Sequence, residues 1–150
     1  SNFKLIIIGH GQEESMLLQK TEELKLKNRV IFLGHIAHSD IPQYLHISHI
    51  FIRPSISEGF GNSYIEAMAA SLPVIATPVG GIVDFLKDGE TGLFCDVKNP
   101  KSIALKVEKL IKDQESREYI VKNALNLVNE KYQWDIVASD MKNKVFLRVL

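Results

Sequence analysis

Short, solidly apolar runs alternate with stretches of helical periodicity along most of the chain. The runs are Lys4-Leu5-Ile6-Ile7-Ile8 before Gly9, Val30-Ile31-Phe32-Leu33 before Gly34, His49-Ile50-Phe51-Ile52 before Arg53-Pro54, Pro73-Val74-Ile75-Ala76-Thr77 before Pro78, and Gly92-Leu93-Phe94-Cys95. Runs of β-branched residues that are apolar in every position are expected of parallel strands covered by helices on both faces. Between them, residues 13–25 place Leu17, Thr21 and Leu24 on one helical face. A short helix is predicted after Asp40, and another from Asn62 or Ser63 to Ala70, carrying Ile65, Met68 and Ala69. The last third predicts helices only. Asn99-Pro100 reads as an N-cap followed by proline at the first helical position. Three stripes follow: Ile103, Val107, Leu110 and Ile111; then Ile120, Ala124, Leu127 and Val128; then Trp134, Val137, Ala138, Met141 and Val145. The β-α-β-α-β-α-β-α-β order with trailing helices predicts an α/β fold, a doubly wound parallel sheet in one domain over residues 1–150.

In such sheets ligands bind outside the carboxyl ends of the strands. The loops at those ends hold Gly9-His10-Gly11, Gly34-His35-Ile36, residues 54–62 and residues 78–81. One segment among them stands out: Glu58-Gly59-Phe60-Gly61-Asn62-Ser63-Tyr64-Ile65-Glu66. Its glycines let backbone N–H groups approach a ligand closely, and the helix that follows aims its positive N-terminus at the same spot. Carboxylates on either side accept hydrogen bonds from hydroxyls. An anionic linkage with neighbouring hydroxyls, as in a nucleotide sugar, suits that combination.

Each candidate also has a plain structural reading. Ser63-x-x-Glu66 fits a capping box, with Glu66 satisfying backbone donors. Glu58 precedes the helix and has nothing to cap. Gly9-x-Gly11 lacks the third glycine of a dinucleotide fingerprint, because position 14 is Glu14, so it reads as a tight turn that lines a pocket. Val79-Gly80-Gly81-Ile82 is either a turn needing positive φ or a set of amides offered to a sugar or phosphate. Asp88-Gly89 and Thr91-Gly92 read as turns. The five histidines show no metal-ligand spacing, so no metal is expected. Trp134, Tyr119 and Tyr132 fit helix packing.

Composition narrows the classes. Eighteen basic and eighteen acidic residues balance to zero net charge, which argues against nucleic acid as a partner and against an anionic lipid surface. The apolar runs are too short to cross a bilayer, and the chain does not open on a secretory signal. A lone Cys95 excludes an internal disulfide, and a cytoplasmic location is expected.

Taken in order, these motifs resemble one family. Leu5 to Gly11, Val30-x-Phe32-x-Gly34, Pro54-Ser55, Glu58 to Glu66 continuing Ala67-Met68-Ala69, Pro73 to Thr77, Gly80-Gly81-Ile82, Asp88-Gly89-x-Thr91-Gly92-Leu93 and Tyr132-x-Trp134 match the C-terminal, donor-binding domain of retaining glycosyltransferases of family four. These are the group 1 enzymes, with two facing Rossmann-like domains (the GT-B fold). The resemblance implies transfer of a sugar from a UDP- or GDP-linked donor to an acceptor hydroxyl, with no cofactor and no metal, in polysaccharide, glycolipid or glycoconjugate synthesis. It implies that Glu58 is the catalytic-site carboxylate and holds donor-sugar hydroxyls. Gly59, Phe60, Gly61, Asn62 and Ser63 would line the sugar and diphosphate, and Glu66 would accept from the ribose hydroxyls. His35 and Ile36 would lie by the base, Gly9 and Gly11 would shape the wall, and Gly80 and Gly81 would complete the donor site.

Two departures accompany it. The arginine and lysine that neutralise the diphosphate, and the N-terminal domain that brings a sugar or lipid-linked acceptor, are expected upstream of this sequence. Arg53, at a strand end, and Lys4, inside a strand, are not expected to replace the pair. Asp84 stands where glutamate is usual. The chain alone is therefore expected to be inactive, with unpaired strand edges that invite a dimer. The full-length protein would be cytoplasmic, with peripheral attachment at the inner membrane face as one option. An epimerase or hydrolase of the same fold, and a non-catalytic nucleotide-sugar-binding module, are the alternatives.

Overall fold

The β-branched runs become parallel strands. The structure, a computed structural model, describes residues 3–146. Its strands are β1 (Leu5–Ile8), β2 (Val30–Gly34), β3 (Phe51–Arg53), β4 (Val74–Ala76) and β5 (Leu93–Phe94). The helices are α1 (Glu14–Glu23), α2 (Ile41–His46), α3 (Asn62–Ala69), α4 (Pro100–Lys112), α5 (Gln114–Lys131) and α6 (Trp134–Lys144), with 3-10 turns at His38–Asp40 and Gly80–Asp84. All five predicted strands are present, a 3-10 turn takes the place of the helix predicted between β4 and β5, and each strand pairing is parallel. The ladder hydrogen bonds fall into two sets, β1-β2 and β3-β4-β5. The chain forms two compact units, one up to Ile41 and one from Pro42 onward.

In the first unit, β1 pairs with β2 from Leu5 opposite Val30 to Ile7 opposite Phe32, and a register shift follows before Ile8 meets Gly34. These strands are not covered on both faces as their apolar pattern predicts: Leu5, Ile8 and Ile31 stay exposed. The α1 stripe is also narrower than the periodicity implies. Thr21 alone is buried, its hydroxyl donating to the Leu17 carbonyl, while Leu17 and Leu24 remain exposed.

The second unit has β4 at its centre. Phe51, Ile52 and Arg53 of β3 lie opposite Val74, Ile75 and Ala76, and Ile75 and Ala76 also pair with Leu93 and Phe94 of β5. All three β4 residues are buried, as a strand with neighbours on both edges and helices on its faces should be. Tyr64, Ala67 and Met68 of α3 pack with Val74, Ala76, Phe85 and Leu86, joined by Ala124 and Val128 of α5. A second cluster joins Ile75, Leu93, Cys95, Leu110 and Ile120. The N-cap forms as predicted: the Asn99 side chain accepts from the Ser102 amide at 3.1 Å, with Pro100 opening α4. The α5 stripe is buried except for a half-buried Leu127. The third stripe is not a core face. Trp134 is 84% exposed, Met141 and Val145 are exposed, and Tyr119 on α5 is exposed too.

Candidate functional site

Because β3 and β4 run parallel, the loops leaving their carboxyl ends are neighbours. The first loop, residues 54–61, carries Glu58 and leads into α3. The second, residues 77–79, leads into the 3-10 turn Gly80–Asp84. Their backbones touch. The Gly81 amide donates to the Gly59 carbonyl at 2.8 Å. A methyl carbon added at Gly80, whose φ is +55°, would lie 1.8 Å from the Glu58 carbonyl oxygen, and one at Gly81 would lie 2.7 Å from that of Gly59. The glycine pair is thus the seat on which the acidic loop rests, and the Gly81 amide is spent on that seat.

Thr77, fully buried at the end of β4, adds a second tie by donating its hydroxyl to the Ser55 carbonyl. Tyr64 adds a third. Its phenol donates to the Arg53 carbonyl at 2.6 Å and lies 3.4 Å from the Ser55 hydroxyl. Burial pushes the Tyr64 phenol up in pKa, partly offset by its bond to Ser55 and by the Arg53 charge. A loop that is polar and glycine-rich is in this way fixed to the core through its own carbonyls.

The start of α3 differs from the predicted capping box. Gly61, in the left-handed region at φ +83°, is the N-cap, and no side chain caps the helix. Ser63 lies inside the first turn, where its hydroxyl accepts from Arg53 Nη1 at 2.8 Å. A capping box needs the serine one position outside the helix, so Glu66 is not explained in that way. Glu66 stands half-buried one turn into α3. With no side-chain cap, the first-turn amides of α3 suit an anionic group.

Glu58 is the centre of the arrangement. Its side chain is only 14% exposed. Arg53 Nη2 lies 3.0 Å from Oε2 of Glu58, and the Ser55 hydroxyl donates to the same oxygen at 3.2 Å. Both contacts converge on Oε2, and Oε1 has no hydrogen bond from the described residues. Arg53 itself is 48% exposed and lies over the Tyr64 ring, its Cζ 5.9 Å from the ring centre. Phe60 leans on Phe85 and Tyr132, with ring centres 5.5 and 5.7 Å away, and stays partly open to solvent. Tyr132 therefore packs as the sequence indicates, whereas Trp134 does not.

Gly59, Phe60 and Gly61 thus share the loop of Glu58, Gly80 and Gly81 seat it from the 3-10 turn, and Asn62 and Ser63 open α3 beside it. Glu66 follows on α3, and the first unit holds Gly9, Gly11, His35 and Ile36. There, Gly9, Gly11 and His10 line a cavity of ≈ 260 Å³ together with Ile7, Glu14 and Phe32. The His10 ring lies against Gly34, and its Nδ1 is 2.8 Å from Glu14 Oε2. His35 is exposed just past β2, and Ile36 is half-buried. Among the described residues no group of three or more His, Cys, Asp or Glu is placed to hold a metal ion, and no helix is long and apolar enough to cross a membrane.

Sequence reasoning passed over Arg53, Ser55 and Tyr64 as site residues. Arg53 in particular is weighed there only as a substitute for the diphosphate-neutralising pair, and is not expected to serve as one. The available signal was its place as the last residue of a strand that feeds the acidic loop.

Parallel strands with a seated acidic loop at their carboxyl ends define an α/β unit of the doubly wound class. The chain belongs to the glycosyl transferases group 1, whose family pattern matches residues 1–127. It is 37% identical over 142 residues to an uncharacterised glycosyltransferase of Methanocaldococcus jannaschii, covering 95% of this chain and 36% of that protein. It is 34% identical over 143 residues to the capsular polysaccharide biosynthesis glycosyltransferase CapM of Staphylococcus aureus, covering 95% of this chain and 37% of that one. Among solved structures, Anabaena HepE in complex with UDP and glucose matches with a TM-score of 0.86 at 27% identity, over 98% of this chain and 41% of that one. HepE has also been solved in complex with UDP-glucose. The fold is that of the C-terminal domain of a GT-B glycosyltransferase. The chain spans little more than a third of the length of the two relatives it matches (36% and 37%).

Proposed function

We propose that the chain is the donor-binding half of a retaining glycosyltransferase. In this reading it moves a sugar from a nucleotide sugar to an acceptor hydroxyl, in polysaccharide, glycolipid or glycoconjugate synthesis. The observation that carries it is Glu58: a carboxylate locked through one oxygen, with the other unpartnered among the described residues, in a loop beside an uncapped helix start. An unpartnered carboxylate oxygen accepts from a sugar hydroxyl. The adjoining first-turn amides of α3 suit the diphosphate, whose charge grows as the glycosidic bond breaks. Glu66, one turn further along α3, suits the ribose hydroxyls. Gly59, Phe60, Gly61, Asn62 and Ser63 line the same loop and helix start, and Gly80 and Gly81 support it from below. The family resemblance adds Gly9, Gly11, His35 and Ile36 of the first unit, each proposed separately as a donor-contacting residue. The UDP and UDP-glucose bound by HepE favour a UDP-linked donor.

The remaining charge on the diphosphate and the acceptor site are assigned to other parts of the full-length protein. The 150-residue chain alone is expected to bind donor weakly and to turn none over. Titration of the chain with UDP and with UDP-glucose, in the wild type and in Glu58→Ala and Glu66→Ala variants, tests the reading. Glu58→Ala should lower affinity for UDP-glucose by about tenfold, the worth of one charge-assisted hydrogen bond, and leave UDP unaffected. Glu66→Ala should weaken both ligands. Wild-type affinity of both variants for both ligands would refute the assignment.

A further inference from the structure

Arg53, half-exposed at the end of β3, is held through both its backbone and its guanidinium. Its backbone lies in the β3-β4 ladder opposite Ala76, and its carbonyl accepts from the buried Tyr64 phenol. The two terminal nitrogens diverge: Nη1 reaches the Ser63 hydroxyl at 2.8 Å and Nη2 reaches Glu58 Oε2 at 3.0 Å. The planar fork of a guanidinium can serve two acceptors at once, which a lysine ammonium in the same place cannot do at both distances. Tyr64 restrains the group from its ring face. Arg53 therefore ties the middle of the acidic loop to the first turn of α3, bridging from the last residue of β3.

We propose that Arg53 is a positioning residue for the donor sugar: with Ser55 it locks Oε2 of Glu58 and so aims Oε1 at the ligand. The proposal rests on the reading of Glu58 given above. A carboxylate with both oxygens free rotates about its last bond and loses orientation before it meets a hydroxyl. One oxygen fixed by two donors has little of that freedom left, so less order must be imposed when the sugar arrives.

The test uses the 150-residue chain labelled with ¹⁵N, titrated separately with UDP and with UDP-glucose. In Arg53→Gln the preference for UDP-glucose over UDP is expected to fall by about fivefold to tenfold, while UDP affinity stays within about twofold. Arg53→Lys, which keeps a cation beside Glu58 but cannot bridge to Ser63, should recover part of that preference. Arg53→Lys also carries the test if the glutamine variant does not fold. Equal weakening of UDP and UDP-glucose would overturn the proposal, because Arg53 would then act on the nucleotide or on the fold as a whole. An unchanged preference would overturn it as well. A wild type that binds UDP-glucose no better than UDP would refute the role of Glu58 itself, and that result is visible before any variant is made.

Discussion

Replacing Gly80 by alanine is expected to damage the acidic loop without touching any of its side chains. Two costs add. The residue sits at φ +55°, where a side chain costs about 1 kcal/mol or slightly more. The new methyl would also start 1.8 Å from the Glu58 carbonyl oxygen, a backbone atom that no rotamer change can move aside. Forcing extra volume into a packed contact costs about 1–3 kcal/mol, or displaces the segment responsible. Gly89 isolates the first cost: it too has positive φ, +76°, but an added methyl there meets nothing within 4 Å. Urea unfolding of both alanine variants is the assay. Gly89→Ala should lose about 1 kcal/mol, and Gly80→Ala a further 1–3 kcal/mol or so, with weaker UDP-glucose binding alongside. Equal stability of the two variants, with binding intact in both, would show that the two loops do not press on each other as described.

Thr77→Val keeps the shape of a fully buried residue and removes its hydroxyl, leaving the Ser55 carbonyl without that donor. Stability should fall by about 1–3 kcal/mol, read as a lower urea midpoint with an unchanged slope, and a loss below about 0.5 kcal/mol would count against the tie. Burial raises the pKa of Tyr64, so its folded state holds the proton more tightly than the unfolded chain does. Its contribution is then fully present below the unfolded phenol value of about 10 and is lost as pH rises through the higher folded value. Burial raises Tyr132 as well, so ultraviolet titration should show a late phenolate step that shrinks by one residue in Tyr64→Phe, and an unchanged titration curve in that variant would contradict the assignment.

The parts legible from sequence are those governed by local chemistry. Five apolar runs stop at glycine, proline or a polar residue, and all five are strands. Asn99-Pro100 carries its own cap, so the start of α4 is visible without any tertiary information. Other features depend on where distant segments come to rest. Ser63 and Glu66 have the spacing of a capping box, yet the helix starts at Asn62 because Gly61 adopts a left-handed conformation. Glycine is permitted in that conformation but does not require it. The role of Gly80-Gly81 depends on the approach of a loop some twenty residues earlier. The contacts of Arg53 with Ser63 and Glu58 are not legible either, because a strand end says nothing about the direction in which a long side chain folds back. The stripe from Trp134 to Val145 shows the opposite error: its spacing is helical and α6 does form, but an apolar stripe only predicts a buried face where something covers it.

The central claim is that the loop from Glu58 to Glu66 grips the sugar and diphosphate of an activated donor. Amide chemical shifts recorded while UDP-glucose is added to the labelled chain test it most directly. The signals of residues 58–63 and of Glu66 should move together with one affinity, and those of 58–60 should move less when UDP replaces UDP-glucose. Saturable shifts confined to other residues, with 58–66 unmoved, would contradict it.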